Sequence, residues 1–433
     1  MLLKRWFLLL LTAAALCACG GGGDDTQSGG GEGGETPSPS PDDNTGGGSG
    51  NEPQGPTYFS TGFMKGSTLS FAQYVSDLGL VYREGGVVTD PCLSLKRHGA
   101  NIVRLQLNYE GVWNYEGHTI DWASKSRVVA DAKRAQAAGL DLLLTLKPDV
   151  DNYATSPTQH NLLPKAWQGL SEDQIAQKLY EWVYTTLCEL ADEGIYPRVV
   201  AVGNEVNINL LGATTTSDAS RTGRLLVQGF AAVRAYAKQH NPQLKSMLHL
   251  ADPSKVGSYL RRIIDAGAKD FDLLGVSWYP GTNIGHSMGG FQSIPTLCST
   301  IKSSYGYDVA IIETAASFTT GSVNGVWQGD NCNNAYNYPD WNSDASVNAT
   351  NYTPAKQRAW LKQLAEEVKQ GGGVGLITWG TESLPDRKSN PIGYYTYPAS
   401  WANGSTWENN SYWDFTNQNN LHEGIDWMLD VAE

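Results

Sequence analysis

Val199–Val200–Ala201–Val202–Gly203–Asn204–Glu205 is a run of four apolar residues that ends, after a glycine and an asparagine, in a carboxylate. A second run has the same form, Val309–Ala310–Ile311–Ile312–Glu313. Short runs rich in β-branched residues are strands buried on both faces, as in a parallel sheet wrapped by helices. A glutamate at the carboxyl end of such a strand adds nothing to packing. That end is where a (β/α)8 barrel holds its chemistry. Two of them suggest the acid and the nucleophile of a glycoside hydrolase.

Further strand signals are spaced along the chain at Tyr58–Gly66, Ile102–Leu107, Leu140–Leu146, Lys245–Leu250, Phe271–Ser277 and Val374–Thr378. Helical patterns separate them. Asp90–Pro91 opens one with proline in the first turn, and Gly99 ends it. Trp122–Ala138 is alanine-rich, and Ser171–Glu172–Asp173–Gln174 is a capping-box spelling at the head of another, reaching Ala191. Thr222–Gln239, Ser254–Ala266 and Pro354–Gln370 complete the series. Repeated β-α units leave a closed barrel or an open doubly wound sheet. With no glycine-rich phosphate loop after the first strand, the expectation is α/β, a (β/α)8 TIM barrel forming a single catalytic domain over residues 57–433.

The amino terminus is of another kind. Met1–Leu2–Leu3–Lys4–Arg5 followed by an apolar run to Leu16 is a signal-peptide pattern too short to span a bilayer. Leu16–Cys17–Ala18–Cys19 resembles a bacterial lipobox, which implies a lipoprotein signal over 1–18 and acylation of Cys19. An ordinary secretory signal is the other reading. Residues 20–56 are Gly, Ser, Pro, Asp, Glu, Asn and Thr with almost nothing to bury, a flexible tether. As a coil it reaches about 30–35 Å root-mean-square. The expected place is therefore an exported lipoprotein at the outer membrane, on the cell surface or in the periplasm.

A formal net charge of −13 argues against a nucleic-acid partner, which needs a basic face. A neutral polymer is compatible with it, and 14 tryptophans and 21 tyrosines supply the flat faces on which sugars stack. Cys92 and Cys188 lie in helical patterns as small buried residues, while Cys298 and Cys332 flank loops, where a disulfide is one open pairing. Asp149, Asp151 and Asn152 share a loop that offers calcium ligands or a solvated acidic turn.

The segments Val202–Gly203–Asn204–Glu205–Val206–Asn207 and Ile312–Glu313–Thr314–Ala315 resemble glycoside hydrolase family 53, the endo-β-1,4-galactanases of clan A. Phe63–Met64–Lys65–Gly66, Gly99–Ala100–Asn101–Ile102–Val103–Arg104–Leu105, Pro164–Lys165–Ala166–Trp167, Asp272–Leu273–Leu274–Gly275–Val276–Ser277–Trp278–Tyr279–Pro280, Gly373–Val374–Gly375–Leu376–Ile377–Thr378–Trp379 and Trp407–Glu408–Asn409–Asn410 through Phe415 agree in the same order. The likeness covers about residues 58–416. It departs at Thr68, where the family has aspartate, at Gln106 in an Arg-x-Arg position, at Lys147 near a family histidine, and at Gly212–Ala213 and Gly281 or Thr282, where tryptophans are expected.

The resemblance implies a retaining endo-acting hydrolase of β-1,4-galactan, in arabinogalactan or pectin, working as a monomer without a cofactor or catalytic metal. Glu205 is the expected acid/base and Glu313 the nucleophile, with carboxyl groups about 5–5.5 Å apart. Asn204 is expected to bond the sugar 2-hydroxyl, Arg104 and Tyr279 to hold Glu313, Trp379 to floor the cleavage site, and His249, Trp278 and Lys147 to reach the sugar. The structural alternatives are an Asn–Glu helix cap for Glu205, a strand-end salt bridge for Glu313, a core arginine for Arg104, a Tyr–Pro turn for Tyr279, core packing for Trp379 and a satisfied structural histidine for His249. A catalytically silent surface glycan-binding lipoprotein on the same barrel is the second functional reading. An open-sheet esterase ranks last.

Overall fold

The computed structural model describes residues 56, 58–115, 118–150, 162–212, 218–279, 293–319, 352–384 and 408–432. Cys19, residues 20–55 of the tether and Cys332 lie outside them.

Eight parallel strands close on themselves: β1 (Met64–Thr68), β2 (Ile102–Asn108), β3 (Asp141–Lys147), β4 (Val199–Val202), β5 (Lys245–Leu250), β6 (Leu273–Ser277), β7 (Asp308–Glu313) and β8 (Gly375–Thr378). Each pairs with its neighbours in chain order, and β1 joins β8 at Gly66 opposite Ile377. The expected (β/α)8 barrel is therefore present.

Helices wrap it: α1 (Ala72–Asp77), α2 (Pro91–Arg97), α3 (Lys125–Ala137), α4 (Glu172–Asp192), α5 (Ala219–His240), α6 (Val256–Asp265), α7 (Ser293–Tyr305), α8 (Pro354–Gln370) and α9 (Trp427–Asp430). The caps do what their spelling implies. Asp90 accepts from Cys92 N ahead of Pro91, and Ser171 and Gln174 form a reciprocal capping box. Two expected boundaries move to better caps: α3 begins after Ser124 and α5 after Asp218.

The first strand is shorter than expected. Residues 58–63 run instead beneath the barrel as a strap. Tyr58 donates to Asn241 Oδ1 at 2.7 Å, and Asp141 accepts from Phe59 N at 2.8 Å. The opposite end of the domain is tied to the same region, since the buried amine of Lys65 on β1 donates to the carbonyls of Met428 at 2.9 Å and Val431 at 2.7 Å.

Two apolar layers result from strand alternation. Met64, Ile102, Leu143, Val199, Met247, Ala310, Ile312 and Ile377 fill the barrel interior. The alternate residues, such as Val103, Val200, Leu248 and Ile311, pack against the helices. This parity decides which later residues in each strand look into the barrel mouth.

Cys92, Cys188 and Cys298 are buried, and Cys92 and Cys298 are free thiols. Among the described residues no helix is long and apolar enough to cross a membrane.

Candidate active site

Inward parity brings Arg104 on β2, Thr145 on β3, His249 on β5, Ser277 on β6 and Trp379 just beyond β8 to the carboxyl end of the barrel. Glu313 reaches the same place by an irregularity. Val276 pairs with Ile311 but Ser277 pairs with Glu313, so β7 carries a bulge. Ile312 faces inward, and strict alternation would turn Glu313 outward. The extra residue turns it back into the mouth, a use of bulges common beside reactive groups.

Glu205 is aimed by the backbone. The chain leaves β4 through Gly203 at φ 81° and takes Glu205 itself to φ 47°, the left-handed region. A Cβ at position 203 would stand 2.4 Å from Val206 Cγ1, so only glycine fits.

The guanidinium of Arg104 is wholly buried and ties the parts together. Its nitrogens donate to Glu313 Oε2 at 2.9 Å, to Asn204 Oδ1 at 2.6 Å and to Thr145 Oγ1 at 3.1 Å. Its charge lies 5.4 Å from the centre of the Trp379 ring, a cation–π distance. The Tyr279 hydroxyl donates to Glu313 Oε1 at 3.1 Å, so both oxygens of that carboxylate are held.

Oxygens of Glu205 and Glu313 and a ring nitrogen of His249 all lie within 4.8 Å of one another. The environments of the two carboxyls differ. Desolvation, then the charge of Glu313, raises the Glu205 pKa to about 7, partly offset by a hydrogen bond from Ser277 and by Arg104. Glu205 nonetheless keeps some surface open to solvent, as does Asn204.

His249 corrects an expectation. It is fully buried and does not present itself to a sugar hydroxyl. Its Nδ1 accepts the Glu205 N–H at 3.2 Å, so the ring proton sits on Nε2, 2.9 Å from Ser277 Oγ. Burial, then Arg104, lowers its pKa well below the usual value and keeps the ring neutral. Ser277 in turn bonds the Glu205 side chain. Ser277 and Thr145 were not singled out from the sequence. Their signal was parity, two residues on from the inward-facing Gly275 and Leu143.

Trp278 is a second correction. Coming one residue after inward-facing Ser277, it points outward and is buried against Trp360 of α8, ring centres 5.8 Å apart. Lys147 ends β3, buried, opposite Asn108. Asp149 accepts the Leu211 N–H, and the other two expected calcium ligands, Asp151 and Asn152, lie outside the described residues.

Glu205, His249 and Glu313 are also the set of donors close enough to share a metal ion among the described residues. They do not fit one. Arg104 already sets a fixed positive charge on Glu313, and both nitrogens of His249 are occupied.

A family model described as glycosyl hydrolase family 53 matches residues 64–427. The chain belongs to that family. Relatives include an arabinogalactan endo-beta-1,4-galactanase of Cellvibrio japonicus, 28% identical over 83% of this chain and 89% of its own. An endo-beta-1,4-galactanase of Bacillus subtilis is 25% identical, covering 78% and 76%. Among solved structures, the Ignisphaera aggregans GH53 catalytic domain superposes with a TM-score of 0.67 at 25% identity, covering 86% of this chain and 96% of that one. A fungal beta-1,4-galactanase shares the fold at a TM-score of 0.63 and 20% identity, covering 86% and 100%. The chain is thus a family 53 glycoside hydrolase.

Among the departures from the family 53 pattern, Gly281 lies outside the described residues, and Thr68 and Gln106 have defined places in this barrel. Thr68 faces inward at the top of β1 with its hydroxyl unpaired among the described residues, and Gln106 donates to Asn108 Oδ1 at 2.9 Å. The run Gly285–His286–Ser287–Met288–Gly289 matches the spelling of a serine-nucleophile elbow and lies outside the described residues. That elbow belongs to an open sheet, and the closed barrel removes the esterase reading.

Proposed function

We propose that this chain is a retaining endo-β-1,4-galactanase in which Glu205 is the acid/base and Glu313 the nucleophile. The observation that carries the reading is the close pair of carboxyls with unlike surroundings. Their oxygens lie within 4.8 Å of each other, on the retaining side of the distance scale and well short of the about 6.5–9.5 Å that an intervening water needs. Glu313 is held by a cation and a phenol, one on each oxygen, which fixes the carboxylate in place for attack. Glu205, raised to about 7, retains a proton to give.

In the first step Glu313 attacks the anomeric carbon while the glycosidic bond breaks and Glu205 protonates the departing oxygen. In the second, Glu205 as carboxylate takes a proton from water. That water attacks the anomeric carbon, releasing Glu313 and a sugar of unchanged configuration. With Oδ1 of Asn204 taken by Arg104, its amide nitrogen is left to meet the 2-hydroxyl. Trp379 lies beneath as an apolar floor. The galactan substrate, in arabinogalactan or pectin side chains, rests on the relatives' activities, and the endo mode on the same ground.

Incubating the protein with β-1,4-galactan should release reducing ends, with the β-anomer appearing first by proton NMR. Glu205→Gln and Glu313→Gln should each slow release by about a thousandfold, on the order of 4 kcal/mol of barrier. Near-normal turnover of either variant, or the α-anomer first, would reject the assignment.

The reading extends to an exported, monomeric lipoprotein anchored through Cys19, supported by the Leu16–Cys17–Ala18–Cys19 run and the tether behind it. Cys19→Ser should move the protein from the membrane to the soluble fraction. Retention on the membrane would exclude the anchor.

A further inference from the structure

A cleft of about 550 Å³ opens on the flank of the barrel and shares no lining residue with the glutamate pair. Its origin is a mismatch of helix lengths. The two helices end level, where Lys133 bonds Glu193 at 2.6 Å and Gln136 the Gly194 carbonyl at 3.3 Å, yet α4 has 21 residues and α3 has 13. At 1.5 Å per residue α4 therefore rises about 12 Å past its neighbour. The loop leaving β2 closes the far side with Tyr109.

That side is aromatic. Tyr109 meets Trp167 edge-on at 5.0 Å and Trp182 at 5.7 Å, and the Trp167 indole N–H donates to the Tyr109 hydroxyl at 3.2 Å. Trp167 is buried behind, while Tyr109 and Trp182 are only half-buried and line the cleft. The rim is polar and its charges cancel. Lys125 pairs with Glu189, and Lys178 with Glu181 at 2.8 Å.

We propose that this cleft is a second saccharide-binding site, holding a neutral β-linked pyranose chain outside the reaction centre. Three observations select that ligand. The volume falls within the ordinary range for ligand pockets, about 300–1,000 Å³. Two ring systems locked edge-to-face offer rigid apolar surface to the C–H face of a pyranose. The rim offers donors and acceptors for its hydroxyls without a net field, which disfavours phosphate, nucleic acid or a charged peptide. An apolar partner helix would instead bury that rim unsatisfied. The identity of the sugar, galactan, rests on the preceding reading.

The test uses the full chain and two variants. Thr185→Arg fills the cleft from an exposed position without touching the core. Trp182→Ala removes the half-buried ring. Each is made in a Glu313→Gln background and run by native electrophoresis in gels containing β-1,4-galactan. The Glu313→Gln parent should be retarded, and both cleft variants should lose affinity by about fivefold or more, the scale of one lost aromatic contact. With Glu313 intact, both should cleave a soluble galactotetraose at the parental rate and polymeric galactan more slowly. Galactan cleavage by the parent reports on the catalytic assignment. The difference in retardation reports on the cleft alone. Equal retardation of parent and both variants, or retardation of none, would overturn the site.

Discussion

At the scale of single residues, the proposed chemistry depends on how Glu205 keeps a proton. Burial and Glu313 push its pKa up, and the Ser277 hydroxyl pulls it down by bonding the ionised form. An acid raised to about 7 must lose activity as it ionises, so kcat/KM should fall about tenfold per pH unit above about pH 7. Ser277→Ala removes a bond that favours the carboxylate. The alkaline limb should therefore move to higher pH in that variant, and a pH–rate profile reads the sign directly. A shift to lower pH would mean that Ser277 does not donate to Glu205. Arg104 serves another end, holding Glu313 and Asn204 at once. Arg104→Lys keeps the charge but not the fork, and should lower kcat/KM by about a hundredfold. A rate within a few-fold of the parent would count against that role. The buried pair itself was legible in the sequence because a glutamate has no packing reason to end an apolar run. The His249–Ser277 link beneath it was not, because no local pattern marks a hydroxyl that matters only through a ring on the next strand.

At the scale of elements, strand parity separates what the sequence disclosed from what it concealed. Seven strands were legible close to their observed bounds, whereas β1, Met64–Thr68, is not an apolar run and was expected too early, at Tyr58–Gly66. Trp278 was misassigned because an aromatic beside Tyr279 looks like a sugar platform, whereas one step along the backbone reverses the facing. Trp278→Ala should cost about 3–5 kcal/mol of stability in denaturant unfolding while leaving kcat/KM of the folded fraction near parental. A loss of rate with stability intact would return Trp278 to the site. Ser171→Ala, which removes the capping box of α4, should cost about 1 kcal/mol by the same measurement. The bulge in β7 was hidden, since Ile311–Ile312–Glu313 reads the same whether or not one residue is unpaired. Helix α7 was hidden for a different reason: Pro295 and a run of Ser and Thr give it poor propensity, and packing of Ile294, Cys298 and Ile301 forms it.

At the scale of the whole molecule, buried carboxyls govern how stability responds to pH. Desolvation raises Glu382 and Glu408 to about 8, and one oxygen of each has no partner among the described residues. A carboxyl raised on folding stabilises the protein while protonated, and that contribution is lost as pH rises through the folded value. The buried histidines His249 and His422 act oppositely, but their contribution is complete above about pH 6.5. Between pH 6.5 and 8.5 the melting temperature should therefore fall, and Glu408→Gln should flatten the slope. A flat or rising profile in the parent would show that these groups are not buried as carboxylic acids. The tie between Lys65 and the carbonyls of Met428 and Val431 carries a consequence for synthesis. Strand β1 is made early, yet one of its edges and its lysine amine find their partners only in the last stretch of the domain. A ribosome-bound chain therefore waits as an unfastened ring, and the clasp shuts only once the far end of the barrel domain has emerged.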